Sequence, residues 1–103
     1  MGRFIIKLSG EGRDFYLEWS TVVDVPITSG MSLKEFKKYY RKEYGSEGMR
    51  ELPERLRRVE STGCSAPHTT LDNFLSCNRA GDNEEEISKE EIFKKYCLER
   101  QAK

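Results

Sequence analysis

The chain has 103 residues, of which 36% are apolar and 35% charged, and its formal net charge is zero. That is enough for one domain with a thin core. It excludes an overall charge that would draw the whole molecule to nucleic acid or to an anionic membrane. No apolar run approaches the roughly 20 residues that span a bilayer, and no basic n-region leads into an apolar run, so no membrane association and no export are expected. Cys64, Cys77 and Cys97 form an odd set, which reads as reduced thiols in a cytoplasm.

The first element is a β-hairpin over residues 3–21. In RFIIKLS, Phe4, Ile6 and Leu8 share one face and Ile5, Lys7 and Ser9 the other. Gly10-Glu11-Gly12-Arg13 supplies glycines for a tight turn. In the returning strand Phe15, Leu17 and Trp19 alternate with Tyr16, Glu18 and Ser20. Two strands alone are marginal in water, so the Phe4–Trp19 face needs a helix over it. An exposed hairpin edge is left for a third strand or a second copy of the chain.

Val22 to Gly30 follows neither period, and Pro26 denies a normal ladder at its nitrogen. Val22, Val23, Val25 and Ile27 are too apolar for a solvated loop, and the stretch reads as a partly buried extended crossover. Ser32-Leu33-Lys34-Glu35 is a capping box. It opens a helix over 32–44 with Leu33, Phe36, Tyr40 and Tyr44 on one stripe, ended by Gly45. Pro53 then reads as the first residue of a helix over 53–61, preceded by a short turn. Thr70 caps a short helix over 70–78, and Ser88-Lys89-Glu90-Glu91 opens a last one over 88–100. The reading is a single α+β domain over 1–103, a hairpin against three to four helices. Its expected core is Phe4, Ile6, Leu8, Phe15, Leu17, Trp19, Leu33, Phe36, Tyr40, Leu56, Val59, Leu75 and Ile92.

Motifs for chemistry are sparse. Cys64, His68, Cys77 and Cys97 make a weak three-Cys, one-His zinc set without a CxxC knuckle, and no metal or cofactor is expected. Cys64 and His68 lack any device for nucleophilic catalysis. Gly10-Glu11-Gly12 is a turn and not a dinucleotide loop. The enzyme question stays open, with a non-enzymatic reading ahead. Lys34, Lys37, Lys38, Arg41, Arg57 and Arg58 form an alternative nucleic-acid surface, weighed against a solvated helix face with interleaved Glu. The segment Trp19–Pro26 is the most idiosyncratic. Trp19, Ser20, Thr21 and Asp24, facing Asn78, Arg79, Asp82 and Asn83, form the candidate binding site, because recognition concentrates on loops held by a rigid scaffold.

The stretches YLEWSTVVDVP, GMSLKEFKKYYRKEYG, LPERLRRVESTG and SCNRAGDNE resemble small proteins encoded by tailed phages of actinobacteria. The resemblance carries no activity and no residue roles across. It implies an accessory protein made in a bacterial cytoplasm. The leading expectation is therefore a non-enzymatic protein that binds a host or phage component, or itself. Nucleic-acid binding through residues 34–58 and small-ligand or nucleotide binding, with or without catalysis, at the Trp19–Asp24 loop are the alternatives.

Overall fold

The structure is a computed structural model that describes residues 3–67, 69–81, 83 and 85–99. It is one α+β domain: a three-stranded antiparallel sheet in the order β1-β2-β3, with helices. Strand β1 (Arg3–Gly10) pairs with β2 (Arg13–Ser20) from Arg3 opposite Ser20 to Gly10 opposite Arg13. The turn between them is Glu11-Gly12, with φ of 53° and 76°. Positive φ at both central residues matches a type I′ turn, whose twist suits the flanking strands. Strand β3 (Val25–Pro26) adds to the outer edge of β2.

Both edges of the hairpin are met by neighbouring chain over part of their length. Beyond β3 the chain stays beside β2, where Tyr16 and Met31 exchange N–H···O bonds of 2.7 and 3.0 Å. Along the free edge of β1, Lys7 N–H donates to Gly63 O and Ser65 N–H to Ile5 O, both at 2.9 Å. The Ile5 N–H is taken up by Ser65 Oγ. The third strand expected beside the hairpin is thus present as β3, and the β1 edge, expected to be exposed, is met at Ile5 and Lys7 by the segment that leaves the long helix.

Both sheet faces are buried as well. Ile6, Leu8, Phe15, Leu17 and Trp19 form one core with Phe74, Leu75, Ile92, Tyr96 and Cys97 from the C-terminal part of the chain. Ile5 and Tyr16 form a second core with Phe36, Tyr40, Leu52 and Val59. The hairpin thus meets the helix that begins at Leu33 through the face opposite to the one expected. The Phe4–Trp19 face is covered by the short helices instead. Most of the expected core is buried, with Phe4, Leu33 and Leu56 only partly so; Ile5, Tyr16, Leu52 and Phe74 were missed.

Helix α1 (Leu33–Thr62) starts at the expected capping box, where Ser32 and Glu35 satisfy each other's backbone. It breaks at Gly45 (φ 68°, ψ −160°), a conformation open to glycine alone. Its second arm runs through Pro53 without a second break, so the separate helix expected to begin at Pro53 is corrected. The proline removes one hydrogen bond, a cost of about 3 kcal/mol in a helix interior. Burial of Leu52 and Val59 on the arm's inner side, with Leu56 half-buried beside them, offsets it. Gly63, left-handed at φ 91°, ends the arm and returns N–H to Val59 O. Helix α2 (Leu71–Ser76) is capped by Thr70 and is shorter than expected. Helix α3 (Lys89–Phe93) is opened by the Ser88 capping box and continues as a π-helical turn over Lys94–Glu99. Among the described residues there are thus three α-helices, none long and apolar enough to cross a membrane.

Candidate functional site

The connection after β2 is a short, tied-down loop. Asp24 N–H donates to Ser20 O at 2.8 Å, and Ser20 Oγ accepts from Val22 N–H at 3.2 Å. Asp24 takes a positive φ of 59°, which Asp tolerates better than most side chains. Ile27 N–H returns to Glu18 O at 2.8 Å. Against this loop lies the segment after α2: Arg79 N–H donates to Asp24 O at 2.9 Å, and the Arg79 guanidinium stands 3.6 Å from the Asp24 carboxylate. The two candidate loops therefore touch.

The candidate residues divide by role. Trp19 is fully buried against Phe74, and its indole N–H finds no partner among the described residues. Ser20 is buried and serves the loop backbone. Asn78 is buried and makes four hydrogen bonds, donating to Leu75 O and Ile87 O and accepting from the Ala80 and Ile87 N–H groups. These three act as scaffold. Thr21 and Arg79 are exposed, as is Asn83, which holds a positive φ of 57°. Asp82 lies outside the described residues.

The crossover was expected to be extended and partly buried, and it is, with β3 within it and Asp24, Val25, Pro26 and Thr28 to Gly30 half-buried or buried; the difference is that three of its apolar side chains stay outside. Val22 is 79% exposed, Val23 47% and Ile27 37%; these are the large apolar side chains most open to solvent among the described residues. Of the apolar side chains only Val25 and Pro26 turn inward, where β3 pairs with β2. The hydrogen bonds that close the loop push its remaining apolar side chains out.

Of the alternative basic surface, Lys34, Lys37, Lys38 and Arg41 line one hollow of about 310 Å³ together with Met49. Arg57 and Arg58 are engaged elsewhere: both pair with Glu54, at 3.0 and 3.7 Å, and Arg58 Nε donates to Ser65 O. Cys64 and Cys97 are buried and Cys77 is exposed, all as free thiols. Burial pushes the Cys97 thiol up to about 12. His68 lies outside the described residues, and among those described no three His, Cys, Asp or Glu side chains are grouped to hold a metal.

Sequence reasoning missed one polar cluster, on the α1 side of the sheet. Glu18 is only 2% exposed, and its two carboxylate oxygens accept from the hydroxyls of Tyr39 and Tyr44. Burial first, and the bond to Glu18 second, raise both phenols, Tyr44 to about 12. Arg3 stands beside the Tyr44 oxygen, an interaction that raises its guanidinium further. The only available signal was a Glu between Leu17 and Trp19 in a strand whose other face is apolar from Phe15 to Trp19.

Comparison with protein-family models, curated proteins and solved structures finds no match to this chain.

Proposed function

We propose that this protein acts by binding another protein, through the loop that carries Val22, Val23 and Ile27. The observation that supports this reading is the concentration of exposed large apolar side chains on one short connection. The loop is pre-organised by its bonds to Ser20, Glu18 and Arg79, which lowers the ordering cost of association. Three side chains offer less than the roughly 800 Å² per partner of a standard interface. The loop is therefore an apolar knob for a groove on a larger partner. The resemblance to proteins of actinobacterial tailed phages points to a host or phage component as that partner.

A photo-crosslinking residue at Val22, compared with one at the exposed hairpin turn residue Glu11, tests this. A discrete cross-linked partner is expected at Val22 only, and it disappears when Val23→Asp is added while the circular dichroism spectrum is unchanged. The same products from both positions would remove the proposal.

A second reading rests on the hollow lined by Lys34, Lys37, Lys38 and Arg41. If these four cations contact phosphates, affinity for duplex DNA falls with salt at a log–log slope of about −3 to −4. Anisotropy titrations without salt-sensitive binding to DNA or RNA remove it.

A further inference from the structure

A cavity of about 560 Å³ opens between the two arms of α1 and the sheet beside Arg3 and Glu18, on the sheet face opposite the Trp19 core. Its size is in the range of small-molecule sites. Glu18 lines it together with Arg3 and Arg55; Arg3 acts on Glu18 at longer range, but among the described residues no cation stands within ion-pairing distance of that carboxylate. A buried carboxylate bonded to two neutral phenols, with Arg3 acting on it only at longer range, is a costly arrangement, and a cation directly beside it would offset that cost. Two further features point the same way. The rings of Tyr40 and Tyr44 line the cavity with centroids 4.5 Å apart, and aromatic faces attract cations. Glu47 and Glu51 also line it; Glu51 is engaged by Arg55 at 3.5 Å, whereas Glu47 has no such ion pair among the described residues.

We propose that this cavity binds a methylated or alkyl ammonium, its charge directed at Glu18 and Glu47 and its carbon groups packed on Tyr40 and Tyr44. The site is separate from the Val22–Ile27 loop and does not depend on the reading of that loop. An anion is disfavoured, because three carboxylates, Glu18, Glu47 and Glu51, stand in the wall against two guanidiniums, Arg3 and Arg55. A small inorganic cation would leave the aromatic surfaces unused. The ammonium belongs either to a free small molecule or to a lysine side chain of a peptide.

The test is a titration of the full chain with choline chloride, followed by amide NMR and referenced to equal sodium chloride. Saturable shifts are expected at Arg3, Glu18, Gly48 and Glu51. The neutral isostere 3,3-dimethylbutanol binds at least about tenfold more weakly, since it lacks the charge that the aromatic faces and the facing carboxylate attract. Glu18→Gln lowers choline affinity by a similar factor. Glu47 is exposed, so Glu47→Gln keeps the fold and lowers affinity a few-fold, and it decides the matter if Glu18→Gln does not fold. A short trimethyllysine peptide assigns the source: tighter binding than choline indicates a protein side chain, weaker binding a free molecule. The proposal is overturned by absence of saturable choline shifts, by equal binding of the isostere, or by an unchanged affinity in Glu47→Gln.

Discussion

Ile5 and Ile6 are neighbours in β1 and are buried in different cores, Ile5 with Phe36 and Leu52 and Ile6 with Leu17 and Cys64. The small sheet is therefore a partition between two apolar layers and not the floor of one. Trimming either isoleucine to valine is expected to cost about 1 kcal/mol. The two losses should add within about 0.5 kcal/mol, because the removed methyl groups have no shared neighbours. Urea denaturation of the two single variants and the double variant checks this. A hairpin covered on one face only would lose stability with Ile6→Val and not with Ile5→Val.

The break in α1 is carried by Gly45 and not by Pro53. Gly45→Ala forces a side chain into a φ,ψ region reserved for glycine and should cost about 1–3 kcal/mol. Pro53→Ala restores a backbone donor on an exposed helix face and should raise stability by about 1–3 kcal/mol. Opposite shifts of the urea midpoint identify the two roles. Equal losses would return the break to Pro53.

Much of this fold is legible in local chemistry. The period-two pattern of β1 and β2 and the capping residues Ser32, Thr70 and Ser88 each act over four residues or fewer, and each is found where it was read. What covers the sheet is set by longer-range packing. Period two makes Phe4–Trp19 the apolar face, but Ile5 and Tyr16 on the other face are just as buried. Nothing local decides which face the 32–44 helix takes. The candidate loops were legible as unusual and do touch, yet Trp19, Ser20 and Asn78 are consumed by the scaffold. The Glu18 cluster was not legible, because Tyr39 and Tyr44 read as a helix stripe until the helix is laid on the sheet.

Thiol chemistry should separate the cysteines by burial. Cys77 is exposed, whereas Cys64 and Cys97 are buried and Cys97 is raised to about 12. Reaction rates follow the exposed thiolate fraction. In the native protein at neutral pH one thiol is expected to react with Ellman's reagent within minutes, and all three in guanidinium chloride. Cys77→Ser removes the fast phase. A fast phase that survives this substitution would place an accessible thiol where the fold has none.

The three phenol–carboxylate bonds, from Tyr16 to Glu60 and from Tyr39 and Tyr44 to Glu18, predict how stability follows pH. Glu60 accepts from Tyr16 and from Lys7, and these bonds hold its carboxyl below the usual range. Its contribution is present above the ordinary glutamate value and lost as pH falls through the lowered one. It is small, since Glu60 is half exposed. The alkaline side carries the larger signal. Tyr16, Tyr39, Tyr40 and Tyr44 are all raised, chiefly by burial, so between about pH 10 and their folded values the native state holds protons the unfolded chain has released. Stability is fully present below about pH 10 and falls as pH rises beyond it. Absorbance at 295 nm should show most phenolate appearing well above pH 10 in the folded protein and near pH 10 in urea. Tyr39→Phe removes part of the late component and costs about 1.5–3 kcal/mol at neutral pH, the worth of a hydrogen bond to a buried carboxylate. Five tyrosines titrating together near pH 10 in the folded protein would mean that the phenols do not hold Glu18 and Glu60 in solution.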